Sequence, residues 1–154
     1  CKWLTEEVKI DAAIDYKTAN LQEVIPELCP EGIDVIFDNV GGEFLNTSLL
    51  SINQNARVAI CGAISGYNNE APAPGPSNYT ALLIQRAKME GFIVLDYMDR
   101  FPEAIGELMQ WVQEGKIIYQ EDIQEGIENA PETLLRLYTG QNKGKQLLKI
   151  ADPE

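Results

Sequence analysis

Two turns carry the residue types best suited to holding a ligand. Asp38-Asn39-Val40-Gly41-Gly42 follows an apolar run and precedes an amphipathic segment, and Cys61-Gly62-Ala63-Ile64-Ser65 leaves a second apolar run. Glycines let a backbone pass close to a ligand, and a helix starting just beyond them adds partial positive charge. A plain strand-to-helix turn uses the same residues, so spacing alone leaves both readings open. Two such turns at the ends of neighbouring runs raise the weight of the ligand reading. Asn142-Lys143-Gly144-Lys145 resembles a phosphate-binding loop, but the Gly140 to Gly144 spacing is too short, and Gln146 stands where a magnesium-holding Ser or Thr is required. The full G-x-G-x-x-G dinucleotide fingerprint is also absent from the sequence.

Other chemistries are excluded or disfavoured by composition. The 154 residues contain no histidine, which removes Ser-His, Cys-His and zinc-His mechanisms together. Cys1, Cys29 and Cys61 lack metal-ligand spacing and form no CxxC pair, so no metal is expected; the odd cysteine count suggests a reducing, cytoplasmic setting. Cys61 reads as a small buried strand residue rather than a nucleophile. Twelve basic against twenty-four acidic residues give a net charge of −12, which repels phosphate backbones and anionic lipids, so neither nucleic acid nor membrane is an expected partner. Acidic pairs such as Glu6/Glu7 and Glu121/Asp122 read as solvated faces. Asn46-Thr47-Ser48 and Asn78-Tyr79-Thr80 match glycosylation acceptors by chance. No catalytic residue can be assigned from the spacing.

Alternating strands and helices must position these turns. Asp11–Tyr16, Ile33–Phe37, Arg57–Cys61 and Phe92–Tyr97 are short apolar runs, the middle two apolar on both faces as central parallel strands are. Asn20 with Glu23 forms a capping pair that opens a helix over Leu21–Leu28, which Pro26 should kink or shorten. Leu45, Leu49 and Ile52 place an amphipathic helix over Glu43–Ile52. Residues 65–79, rich in Pro, Gly and Asn, must form a long loop of the kind that is commonly functional, followed by a helix from about Asn78 to Met89. Pro102 and Gly115 bracket one further helix with an apolar stripe, and Pro131 and Gly140 another. Gln146–Ile150 reads as the last strand. The expected fold is α/β, a Rossmann-like parallel sheet with helices on both faces, and in such sheets ligands lie beyond the carboxyl ends of the strands. The opening CKWLTEEVKI reads as a helix already under way, so a longer polypeptide is expected.

The succession IDVIFDNVGGEFLN, RVAICGAISGYN, GPSNY…MEGFIVLDY, WVQEGKI and GQNKGKQLLKI resembles the zinc-independent medium-chain dehydrogenase/reductase superfamily, and within it the leukotriene B4 12-hydroxydehydrogenase, prostaglandin reductase and alkenal double-bond reductase branch. The resemblance covers essentially the whole chain. It implies a partial NADP-binding Rossmann domain over residues 1–154, lacking its N-terminal strands and Gly-rich loop, with a segment from about 116 to 154 returning toward a catalytic domain. Its members reduce the carbon–carbon double bond of α,β-unsaturated ketones and aldehydes with NADPH. The resemblance implies cofactor contacts at Tyr16, near the adenosine 2′-phosphate, and at Asn39. It extends them along the loop Cys61, Gly62, Ala63, Ile64, Ser65, Gly66 and Tyr67, at Phe92, Ile93 and Val94 beside the nicotinamide, and at Asn142. Some relatives carry a tyrosine where this chain has Ile84, which leaves Tyr67 and Tyr79 as candidate proton donors. A homodimer pairing through a Phe92–Tyr97 edge strand is the alternative, non-enzymatic role, and a methyltransferase built on a similar sheet is a third.

Overall fold

The computed structural model describes residues 1–71 and 73–152, which divide into two compact units, residues 1–104 and residues 105–154. In the first unit the helices are α1 (Lys2–Glu6), α2 (Leu21–Leu28), α3 (Gly42–Ser48) and α4 (Thr80–Gln85). Its strands are β1 (Ile33–Asp38), β2 (Ile52–Ile60) and β3 (Lys88–Gly91). The strands form one parallel sheet in the order β1-β2-β3. α5 (Phe101–Gln113) spans the boundary, and the second unit adds β4 (Glu121–Glu125), α6 (Ala130–Thr139) and β5 (Lys145–Lys149), with β4 and β5 parallel. The chain is thus an α/β protein built on parallel strands.

Local signals in the sequence explain most of these elements. Asn20 caps α2 by accepting a hydrogen bond from the Gln22 amide at 3.2 Å, and the helix ends two residues past Pro26, at Leu28. Leu21 and Ile25, one turn apart, are its buried face. Pro131 opens α6 and Gly140, with φ of 66°, closes it in the left-handed conformation.

The first unit's core lies on one face of the sheet. Ile36 and Val58 point to it, joined by Leu45, Leu49, Ile52 and Ala56, with Leu82 and Met89 at the margin. Leu49 is fully buried, at 0% exposure. On the opposite face Val35 and Phe37 each remain 60% exposed. The stripe of α5 is likewise amphipathic but none of its residues is buried.

Several expected boundaries are corrected. The helix expected over Glu43–Ile52 ends at Ser48; a single 3₁₀ turn, Leu49–Ser51, follows, and Ile52 already belongs to β2. β2 therefore starts earlier than the expected Arg57, with Asn55 at φ of 64° absorbing a register shift against β1. The helix expected to reach Met89 stops at Gln85, because Arg86 takes the left-handed conformation and Ala87 donates back to the Leu82 carbonyl at 3.0 Å. Phe92–Tyr97 is not a strand. The ladder uses Lys88–Gly91 instead, and only one further bond, from the Phe92 amide to the Ile60 carbonyl at 3.1 Å, extends it. β2 ends at Ile60, so the residues after Phe92 leave the ladder and turn into a 3₁₀ segment, Val94–Arg100. Asp11–Tyr16 contains no strand, and β4, whose sequence EDIQE is largely polar, was not anticipated.

Candidate functional site

The turn after β1 is shaped by the strand's own last side chain. Asp38 is 1% exposed; its Oδ1 accepts from the amides of Val40 at 2.9 Å and Gly41 at 3.0 Å, and its Oδ2 from Gly41 at 3.1 Å. An aspartate bonding amides two and three residues on is an Asx-type turn. Gly41 and Gly42 follow with φ of 69° and 59°, a conformation that disfavours any Cβ, and a Cβ on Gly42 would also meet Ser65 Oγ at 2.9 Å. The Val40 and Gly41 amides already bond a carboxylate, so they do not form an empty cradle for a phosphate.

The freed carbonyls of this turn hold the next one. Asp38 O accepts from the amides of Cys61 at 2.8 Å and Gly62 at 3.2 Å, and Asn39 O from Ile64 at 3.2 Å. Val40 O accepts from the Ser65 amide at 3.1 Å and from Ser65 Oγ at 2.6 Å. The two glycine-bearing turns are therefore one hydrogen-bonded unit at the carboxyl ends of adjacent parallel strands, where ligands of such sheets lie. Asn39 and Ser65 are on the same side.

Beside this unit opens a broad, shallow cleft of about 570 Å³, lined among others by Gly62, Ala63, Tyr67, Phe92, Ile93 and Asp96. A Cβ on Gly62 would press on Asn39 O at 3.2 Å and Tyr67 Oη at 3.3 Å, so the close approach of the two turns depends on glycine there. Tyr67 Oη accepts from the Ala63 amide at 3.3 Å while most of the ring faces solvent. The Phe92 ring lies 5.8 Å from Phe37 and 6.3 Å from Tyr97. Ser77 and Asn78 are tied to α3 through Asn46, which accepts from Ser77 Oγ at 3.1 Å and from the Asn78 amide at 2.9 Å. Asn46 and Asn78, the two glycosylation look-alikes, thus bond one another.

The structure brings together Asn39, Cys61, Gly62, Ala63, Ile64, Ser65, Gly66, Tyr67, Phe92 and Ile93. Cys61 is exposed rather than a buried strand residue. Val94 opens the 3₁₀ segment and is exposed. Tyr16 stands 52% exposed in a turn built on Asp15, whose Oδ1 accepts from the Lys17 amide at 3.2 Å. Asn142 belongs to the second unit, where Asn142 Nδ2 donates to the Gly144 carbonyl at 2.8 Å. Tyr79, the other candidate proton donor, is exposed immediately before α4.

Sequence reasoning missed two devices. Asp38 is one, although an aspartate directly before Val-Gly-Gly at a strand end is a legible turn signal. Asp122 is the other: read as a solvated charge, it is mostly buried and pairs with Arg136 at 2.7 Å. No local pattern connects residues so far apart. Among the described residues, no group of three or more His, Cys, Asp or Glu is placed to hold a metal ion, and no helix is long and apolar enough to cross a membrane.

Comparison with known proteins gives a consistent picture. Residues 4–114 match the family described as zinc-binding dehydrogenase. The chain is 37% identical over 156 aligned residues to the NADPH-dependent curcumin reductase of Escherichia coli, and 41% identical over 150 to prostaglandin reductase 1 of Bos taurus. These alignments take in 98% and 96% of this chain but 45% of each relative, so the chain spans about half the length of the curated relatives it matches. Among solved structures, CurA from Vibrio vulnificus in complex with NADPH superposes with a TM-score of 0.86 at 35% identity, covering 99% of this chain and 47% of that one. The chain belongs to the zinc-binding dehydrogenase family, within the medium-chain dehydrogenase/reductase superfamily whose motifs it carries.

Proposed function

We propose that this chain is the cofactor-binding part of an NADPH-dependent, zinc-independent oxidoreductase that reduces the carbon–carbon double bond of α,β-unsaturated ketones and aldehydes. The observation that carries the reading is the hydrogen-bonded pairing of the turns after β1 and β2 beside a cleft walled by Gly62, Ala63, Tyr67, Phe92 and Ile93. Those small and aromatic residues fit a flat, uncharged ring and its ribose. The Val40 and Gly41 amides, bonded to Asp38, are not free to hold the pyrophosphate. Bound NADPH would supply the hydride. The chain's own residues would then bind and orient: Asn39 and the 61–67 loop set the depth of the slot, and Phe92 with Ile93 covers its apolar side. Tyr67 presents a phenol at the cleft that could donate a proton to the enolate oxygen side of the substrate. The prostaglandin and curcumin reductases that resemble the chain support the same substrate class.

The accompanying reading is a cytoplasmic homodimer. Pairing through Phe92–Tyr97 in the expected form loses its strand, since that segment is turned away from the ladder. The strand beside it, β3, offers exposed Lys88 and Glu90.

The test is a protein of the relatives' full length carrying this chain, incubated with NADPH and an enone. Consumption of NADPH with formation of the saturated ketone is expected, and the 154-residue chain alone should show little or no turnover. Gly62→Val should raise the KM for NADPH. Formation of an allylic alcohol instead, or no NADPH consumption with any enone or enal, refutes the assignment.

A further inference from the structure

We propose that the open face of the three-stranded sheet docks a helix with an apolar stripe and a flanking carboxylate, supplied by the polypeptide outside residues 1–154 in a protein of the relatives' length. The inference is independent of the cofactor reading. Ile36, Val58 and Met89 turn to the core, so alternation along the strands turns Val35, Phe37, Arg57, Ala59, Lys88 and Glu90 the other way. The registers set these six in two rows: Val35 beside Arg57 beside Lys88, and Phe37 beside Ala59 beside Glu90. Parallel sheets are ordinarily covered on both faces, with crossover helices on each side. Here Leu45 of α3 and Leu82 of α4 pack on the core side, while Val35 and Phe37 on the other face stay 60% exposed.

The shape of the face suits a helix. Ala59, the smallest side chain of the two rows, leaves a hollow between Phe37 and Glu90. A groove of about 360 Å³ opens there, running from Arg57 and Lys88 at one end to Phe92 and Tyr97 at the other. Phe37 borders it through its ring contact with Phe92. Three strands span about 10 Å, the width of one helix.

The charges of the face fix the occupant's chemistry. The chain as a whole carries −12, yet this face presents two cations and one carboxylate. Neither Arg57 nor Lys88 is in an ion pair among the described residues. Like charges on neighbouring strands repel, and covering them requires a counter-charge. A second copy pressing on this same face would set cations against cations, so self-association fits poorly. The alignments take in 45% of each relative, and the remainder of a protein of that length supplies the occupant.

The experiment uses the full-length protein. A zero-length carbodiimide cross-link on the unsubstituted protein should join Lys88 to an Asp or Glu outside residues 1–154, identified by peptide mass spectrometry. In a mixture of ¹⁴N- and ¹⁵N-labelled protein that cross-link should stay within one isotope. Val35→Cys and Ala59→Cys, each labelled with iodoacetamide and read at that residue, should react about a hundredfold more slowly folded than unfolded in urea. Folded rates within about threefold of the unfolded rates overturn the inference, because the face is then open to solvent. Cross-links from Lys88 only to residues within 1–154, or none, overturn it as well. Cross-links of mixed isotope assign the face to a second copy instead.

Discussion

Replacing Asp38 tests whether one buried carboxylate sets the shape of the candidate site. Its oxygens receive three N–H···O contacts of 2.9–3.1 Å from two amides, and it is 1% exposed. Hydrogen bonds to charged groups contribute about 1.5–3 kcal/mol each, and an orphaned buried amide costs about 1–3 kcal/mol. Against this, alanine also removes the cost of burying a carboxylate. The net expectation is a destabilisation of roughly 2–4 kcal/mol for Asp38→Ala. Asp38→Asn keeps an acceptor where Oδ1 bonds Val40 and Gly41 and loses only the Oδ2 contact, so its cost should be about 1 kcal/mol. Urea unfolding of the chain, followed by circular dichroism, measures both. Amide hydrogen exchange supplies the site-specific readout. The amides of Cys61, Ile64 and Ser65 bond carbonyls of residues 38–40, so their protection should fall in Asp38→Ala and survive in Asp38→Asn. Equal destabilisation by the two variants, or full protection of Ile64 and Ser65 in Asp38→Ala, refutes the claim that Asp38 shapes the paired turns.

Two further outcomes follow from burial and charge. Leu49, at 0% exposure among Ile36, Leu45 and Val58, should cost about 2–5 kcal/mol on truncation to alanine. Leu83, 79% exposed, should cost less than about 0.5 kcal/mol in the same urea titration. Because the Asp122 carboxyl is depressed from 3.8 to about 2, its stabilising contribution should be complete above about pH 4 and lost as pH falls through 2. Protection of the Lys143 amide, tracked by hydrogen exchange, should fall across that window, and Asp122→Asn should abolish the pH dependence.

What could be read from the sequence was whatever neighbours in the chain decide. Asn20 capping α2, Pro131 and Gly140 bracketing α6, and the glycines at 41 and 42 act within a few residues. The family motifs, likewise contiguous, led to the resemblance that the comparisons support. Strand boundaries failed where composition and pairing part ways. Phe92–Tyr97 is apolar enough for a strand, but β2 ends at Ile60 and, beyond the one bond to the Phe92 amide, extends no ladder along it. Lys88–Gly91 and Glu121–Glu125 are polar and pair all the same.

By itself, then, the sequence determined the α/β class, the ends of α2 and α6, and which segments carry ligand-binding residue types, because propensity, capping and turn chemistry are short-range. Only the tertiary structure decided that the turn after β1 spends its amides on Asp38, that its carbonyls grip the 61–65 turn, and that Asp122 and Arg136 clamp the Asn142 loop. Those outcomes depend on parallel strands laying distant residues side by side, and a hydrogen bond across such a distance leaves no periodic trace in the chain.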